Sequence, residues 1–100
     1  EIPPGDISCS ECHGTGTALG DPIEVGALKA TLGEDRAENE PLVLTAIKTN
    51  IGHLEGAAGV AGLAKVAAML PRQVAPPNLH FHALNPHVDL DDFPTTIPVA

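Results

Sequence analysis

An α/β fold is the class this sequence predicts, and three observations predict it. Extended apolar stretches alternate with helical ones, in the order strand, helix, strand, helix. The run Leu42-Val43-Leu44-Thr45-Ala46-Ile47 is short, apolar and partly β-branched, as a buried strand is. Each expected strand delivers its chain into a glycine-containing turn that carries a histidine and precedes a helix.

The elements follow in order. Residues 7–12 form a short strand that runs into the turn Gly14-Thr15-Gly16-Thr17. Asp21-Pro22-Ile23-Glu24 is a helix start: Asp21 can accept from the free amides, Pro22 fits the first helical position, and Glu24 supplies the acid of a capping box. This helix runs through Ala27, Leu28 and Leu32 and stops at Gly33. The acidic stretch 34–41 is a surface loop, residues 42–47 are the second strand, and residues 50–56 are another glycine-containing turn. Residues 57–70 are rich in Ala and apolar on nearly every side, which predicts a helix buried all round in a larger protein, by neighbours that these 100 residues do not supply. Beyond Pro71, the Pro-Pro, Asn-Pro and Asp-Asp pairs predict an extended, loop-dominated segment with short strands.

The 100 residues suffice for one small domain, and 43% of them are hydrophobic. Yet the only aromatic residues are Phe81 and Phe93, and 14 residues are Ala. That is a thin supply of large side chains for a short chain standing alone, so residues 1–100 are expected to be part of a larger domain. The net charge is −8, and Lys29, Arg36, Lys48, Lys65 and Arg72 form no basic stripe, which argues against nucleic-acid binding. Residues 1–5 have neither a cationic start nor an apolar core, and the longest apolar run, 60–70, is interrupted by Lys65. The expectation is a cytoplasmic protein that does not engage a membrane.

Two motifs invite metal chemistry and neither holds up. Cys9-Ser10-Glu11-Cys12-His13 matches C-x-x-C-H, the attachment pattern of c-type haem, and Met69 would be a second axial ligand. However, Met69 lies in a helical Ala/Val/Leu segment, where it fills core space, and two Phe are too few to line a haem pocket. His80, His82 and His87, with Asp89, form a zinc-like spacing, but histidines in a Pro-rich surface loop need no ligand to explain them. No metal is expected.

The stronger constellation is the pair His13 and His53. His13 is followed by Gly14-Thr15-Gly16-Thr17; His53 is preceded by Lys48-Thr49-Asn50-Ile51-Gly52 and followed by Gly56-Ala57-Ala58-Gly59. Ligands in α/β sheets bind at such strand ends. The small residues let a thin substrate approach the backbone, and the threonines offer hydroxyls. A neutral imidazole near a helix N-terminus can donate an N–H to an oxygen that is becoming negative. Lys48, five residues before His53, is placed to hold that ring in this state.

These residues resemble a known family. The stretch from Glu11-Cys12-His13-Gly14-Thr15-Gly16-Thr17 through Gly20-Asp21-Pro22-Ile23-Glu24 is similar to the first histidine motif of β-ketoacyl synthases. Lys48-Thr49-Asn50-Ile51-Gly52-His53 with Gly56-Ala57-Ala58-Gly59 is similar to the second. Pro76-Pro77-Asn78-Leu79-His80-Phe81 and Leu84-Asn85-Pro86-His87-Val88-Asp89 resemble the segments that come next. The wording is nearest to ketosynthase domains of modular polyketide synthases and multidomain fatty-acid synthases.

The resemblance implies a thiolase-like layered αβαβα fold, of which residues 1–100 are part of the C-terminal half. It implies decarboxylative Claisen condensation between an enzyme-bound acyl thioester and malonyl-acyl carrier protein, in a homodimer. By motif position His13, His53 and Lys48 would be catalytic, and Thr15 and Thr17 would grip the phosphopantetheine arm of the carrier protein. Glu24 and Asn50 would be structural supports, and no cofactor would bind directly. The family's nucleophilic cysteine lies upstream of the first histidine motif, so Cys12, beside His13 on a strand and facing the other way, is not expected to replace it. The 100-residue chain alone is expected to be inactive, and a non-catalytic ketosynthase-like partner remains the alternative to an enzyme.

Overall fold

The computed structural model describes residues 1–99. Three strands make one parallel sheet: β1 (Cys9–Glu11), β2 (Leu42–Thr45) and β3 (Thr95–Thr96), with β2 in the centre. The register sets Ser10 opposite Leu44 and Leu42 opposite Thr95. Helix α1 (Gly20–Leu32) joins β1 to β2, the short helix α2 (Lys48–Ile51) follows β2, and α3 (Ala58–Met69) follows a single 3-10 turn (Glu55–Ala57). A second 3-10 turn, Pro4–Asp6, precedes β1. Alternating strands and helices with parallel pairing bear out the α/β class.

The core is small. Leu42, Leu44 and Phe93 are buried together, and Ile7, Cys12, Leu28, Leu32, Leu90 and Ile97 pack around them. Apolar side chains of α1 thus close one face of the sheet. Arg36 is buried beside this core and donates four hydrogen bonds to backbone carbonyls: Nε donates to Leu32, one terminal nitrogen to Glu40, and the other to Pro4 and Ile7. It thereby ties the N-terminal turn to the end of α1 and to the acidic loop.

Two sequence expectations are corrected. The helix start at Asp21 and Glu24 is right in place and wrong in mechanism. Helix α1 begins at Gly20, no side chain caps it from Leu19, and the Thr17 hydroxyl takes the Gly20 N–H at 3.0 Å. Asp21 and Glu24 instead turn back toward the preceding loop and accept the amides of His13, Gly14 and Gly16, so no capping box forms. The second strand ends at Thr45 rather than Ile47, because side chains take over the next amides. The Asn78 carbonyl accepts from Ala46 N–H at 3.0 Å, and the Glu11 carboxylate accepts from Ile47 N–H.

Helix α3 lacks within these residues the neighbours its apolar character calls for: Val60 and Leu63 are 70% and 71% exposed, and Leu70 is equally open. Only Ala58, Gly62 and Lys65 are buried, on the face that meets β1. The described residues cover one side of this helix, and an apolar surface remains unpartnered on the other. No helix among the described residues is long and apolar enough to cross a membrane.

Candidate active site

The two parallel strands β1 and β2 end side by side, and the loops that leave them meet. Each loop carries one histidine next to a glycine in the left-handed region. Gly14 follows His13 with φ +52°, and Gly52 precedes His53 with φ +78°. At Gly14 a second constraint applies: a Cβ there would stand 2.7 Å from the Ala46 side chain, so the two loops approach more closely than any larger residue allows. The result is a T-shaped contact between the His13 and His53 rings, with centroids 5.7 Å apart and planes at 87°.

Hydrogen bonds fix the chemical state of both rings. The Lys48 ammonium lies 3.2 Å from His13 Nδ1, and an ammonium can only donate. The Glu55 N–H donates to His53 Nδ1 at 2.8 Å. In both rings Nδ1 therefore accepts, the proton sits on Nε2, and Nε2–H is left to donate elsewhere. Glu55 adopts a positive φ of 51° to present its amide, a conformation that is strained for a residue with a side chain.

The structure changes the partner of Lys48. The sequence placed it with His53, whereas its Nζ reaches His13, because α2 turns the side chain back toward the end of β1. Lys48 also lines two clefts, as does Cys12. The larger, of about 630 Å³, is lined by Gly14, Thr15, Glu24, Lys48 and His53 on one side and by residues of the 78–88 segment on the other. The smaller, of about 330 Å³, lies between His13, Lys48 and the first half of α3.

The other expected residues fall around this junction. Both oxygens of Glu24 accept backbone amides, those of His13 and Gly14, so the carboxylate holds the first histidine loop from below. Asp21 accepts from Gly16 N–H at 3.1 Å and holds the next part of the same loop. Thr15 lines the larger cleft, while the Thr17 hydroxyl is turned toward the start of α1, 3.3 Å from that of Thr15. The Asn50 amide donates to the Pro77 carbonyl and ties α2 to the segment that closes the larger cleft.

Sequence reasoning missed two buried polar residues. Asn78 is fully used: it accepts from Ala46 N–H and donates to the Leu44 and Pro98 carbonyls. Glu11 accepts from the Thr45 hydroxyl at 2.6 Å and from Ile47 N–H, and it pairs with Lys65 of α3 at 2.8 Å. The only local signal for the pair was a lysine interrupting the apolar run of α3.

Neither metal motif assembles. Cys9 and Cys12 are both free, Met69 is absent from the linings of both clefts, and Lys48 meets His13 Nδ1. Asp89 is engaged by Asp91 N–H and by Lys29 at 3.1 Å, which hold its carboxyl below the usual range. Among the described residues no three of His, Cys, Asp and Glu converge as a metal site would require.

Comparison with known proteins assigns the chain to a family. The profile of the β-ketoacyl synthase C-terminal domain matches residues 1–82. The chain belongs to the β-ketoacyl synthase family. It is 49% identical over 88 residues to highly reducing polyketide synthase 40 of Fusarium mangiferae, covering 88% of this chain and 4% of that protein. It is 52% identical over 88 residues to erythronolide synthase EryA2 of Saccharopolyspora erythraea, covering 88% of this chain and 2% of that one. The chain thus spans a small part of the relatives it matches. Among solved structures, the oxazolomycin ketosynthase domain OzmH KS7 of Streptomyces albus JA3453 superposes with a TM-score of 0.86 at 38% identity, over 98% of this chain and 17% of that one. Ketosynthase twelve of the bacillaene polyketide synthase from Bacillus amyloliquefaciens gives 0.86 at 39%, over 98% and 18%. The β-ketoacyl synthase chain has part of the thiolase-like ketosynthase fold.

Proposed function

We propose that residues 1–100 form the histidine-bearing part of a β-ketoacyl synthase domain that extends a polyketide or fatty-acid chain. The observation that carries this reading is the pair of imidazoles in contact, each with Nδ1 occupied by a donor and Nε2–H free. Two such donors suit an oxygen that gains negative charge during reaction. In a malonyl thioester the bond between the carboxylate and the α-carbon breaks, CO2 leaves, and the electron pair moves onto the thioester oxygen as an enolate. His13 and His53 would donate to that oxygen, so the charge forms against fixed dipoles rather than in water. The α-carbon then attacks an acyl thioester on a cysteine elsewhere in the domain, and the cysteine thiolate departs.

Lys48 would keep His13 in its donating tautomer and add positive charge beside the enolate. Thr15 and Thr17 would line the path of the phosphopantetheine arm, and Glu24 and Asn50 would hold the loops from outside. The arm is brought by an acyl carrier protein as substrate, and the full domain would act as a homodimer in the cytoplasm. Residues 1–100 alone would not condense, since the acyl-bearing cysteine of this reading lies elsewhere in the domain and burial pushes the Cys12 thiol up to about 12.

The test is His53→Ala in the intact domain, assayed for CO2 release from malonyl-acyl carrier protein. Loss of one positioned donor should lower the rate on the order of 100- to 1000-fold. Release within twofold of the parent would contradict the assigned role.

A further inference from the structure

We propose that Glu11 is a positioning residue, clamped by Lys65, that holds the His13 loop and the Lys48 helix in the geometry the site needs. The proposal rests on the condensing role given above and names a device that supports it. Glu11 is the last residue of β1, two before His13. One of its oxygens accepts from Ile47 N–H, the amide immediately before Lys48; the other accepts from the Thr45 hydroxyl at 2.6 Å. A single carboxylate thus joins the end of the strand that delivers His13 to the start of the helix that delivers Lys48. These are the two residues whose side chains meet at 3.2 Å.

The carboxylate is not left uncompensated. The side chains of Glu11 and Lys65 are 9% and 6% exposed, with 2.8 Å between Glu11 Oε2 and Lys65 Nζ. The ammonium approaches off the hydrogen-bond axis and has no hydrogen-bond partner among the described residues, so its role here is charge. Gly62, one turn before Lys65 on the same face of α3, eases the approach: a Cβ at that position would stand 3.3 Å from Glu11 Cγ, tighter than an ordinary contact. An ion pair buried in this way is a weak source of stability, because desolvation offsets much of the attraction. Its place at the junction of β1, β2 and α3 is better explained by geometry: both loops are fixed to one rigid point.

The closing experiment uses the intact domain and the double substitution Glu11→Met with Lys65→Met. It removes both charges while keeping unbranched chains of similar volume, a kind of replacement that folds are known to tolerate. Two readouts are taken: the kinetics of malonyl-acyl carrier protein decarboxylation, and the imidazole nitrogen spectrum of the protein labelled with 15N-histidine. The folded variant should show kcat reduced about 10- to 100-fold, as expected for a small misplacement of reacting groups, with KM within about twofold. The His13 Nδ1 resonance should move as Lys48 loses its hold, while that of His53, held by its own neighbour Glu55, stays. A folded variant with parental kcat and an unmoved His13 resonance overturns the clamp. Should the double variant not fold, Thr45→Val removes one of the hydrogen bonds to Glu11 without touching charge. It should move the His13 resonance in the same direction, and no movement overturns the proposal. If the parent domain releases no CO2, the condensing role has failed, and the His13 spectrum still decides the clamp.

Discussion

Cys12 stands one residue before His13 and lines both clefts, yet its environment disarms it. Burial, reinforced by the Glu24 carboxylate, pushes its thiol up to about 12 from the ordinary 9.0. Near neutral pH such a thiol holds roughly a thousandth of the thiolate of a free cysteine, since each pKa unit is a factor of ten. Iodoacetamide at pH 8 should therefore modify Cys12 far more slowly in the folded protein than after denaturation, followed by mass spectrometry of the peptide. Equal rates would show an open, ordinary thiol. The same shift makes a signed prediction for stability. Unfolding returns the thiol to its ordinary value, so its contribution is whole below about pH 9 and is lost as the pH climbs toward 12. At this scale the sequence was partly legible. The refusal to treat Cys12 as a nucleophile stands on a short local motif. The partner of Lys48 was misassigned because a lysine reaches whichever side its helix turns it, and that turn depends on contacts distant in the chain.

Helix α1 shows what an element-level reading captures and what it misses. Its stop at Gly33 was legible, but for a different reason than a left-handed cap. Gly33 has φ −90° and lies in the ordinary helical region. Glycine is required there because a Cβ would come 2.5 Å from the Lys29 carbonyl and 3.0 Å from the Phe93 ring. Gly33→Ala should accordingly cost about 1–3 kcal/mol through overpacking. Urea unfolding should show a lower midpoint with the slope unchanged, and an unchanged midpoint would mean that the ring and the carbonyl give way freely. The start of the same helix was misread because Asp21 and Glu24 carry the right chemistry for a capping box and spend it on the histidine loop. A sequence pattern specifies which groups can accept an amide hydrogen; the fold decides which amides are nearest. From composition alone α3 reads as buried in a larger protein, although its one deeply buried charge, Lys65, was the informative residue.

Across the whole molecule, the described residues enclose a core of three large side chains and leave much apolar surface on α1 and α3 open. The thin supply of aromatics in the sequence foreshadowed this: there is enough apolar material to seat two strand ends and their loops, and little to close a shell around them. The alternation of strands and helices and the two histidine loops were legible because each is written in a dozen neighbouring residues. The bonds that hold the loops to each other, Glu11 to Ile47 and Lys65, and Asn78 to Ala46, join residues far apart in the chain and carry no local signature.

The buried guanidinium of Arg36 has one more consequence, for proteolysis. Trypsin must draw a basic side chain fully into its own pocket before it cuts, and Arg36 is occupied by four backbone carbonyls. Arg72, by contrast, is exposed, and its side chain makes one bond, to the Ala68 carbonyl. Cleavage after Arg72 should run early, and cleavage after Arg36 should wait for the region around the N-terminal turn to open. The ratio of the two rates then acts as a clock for local unfolding in the native protein. Cuts after both residues at similar rates would mean that the knot around Arg36 is loose in solution.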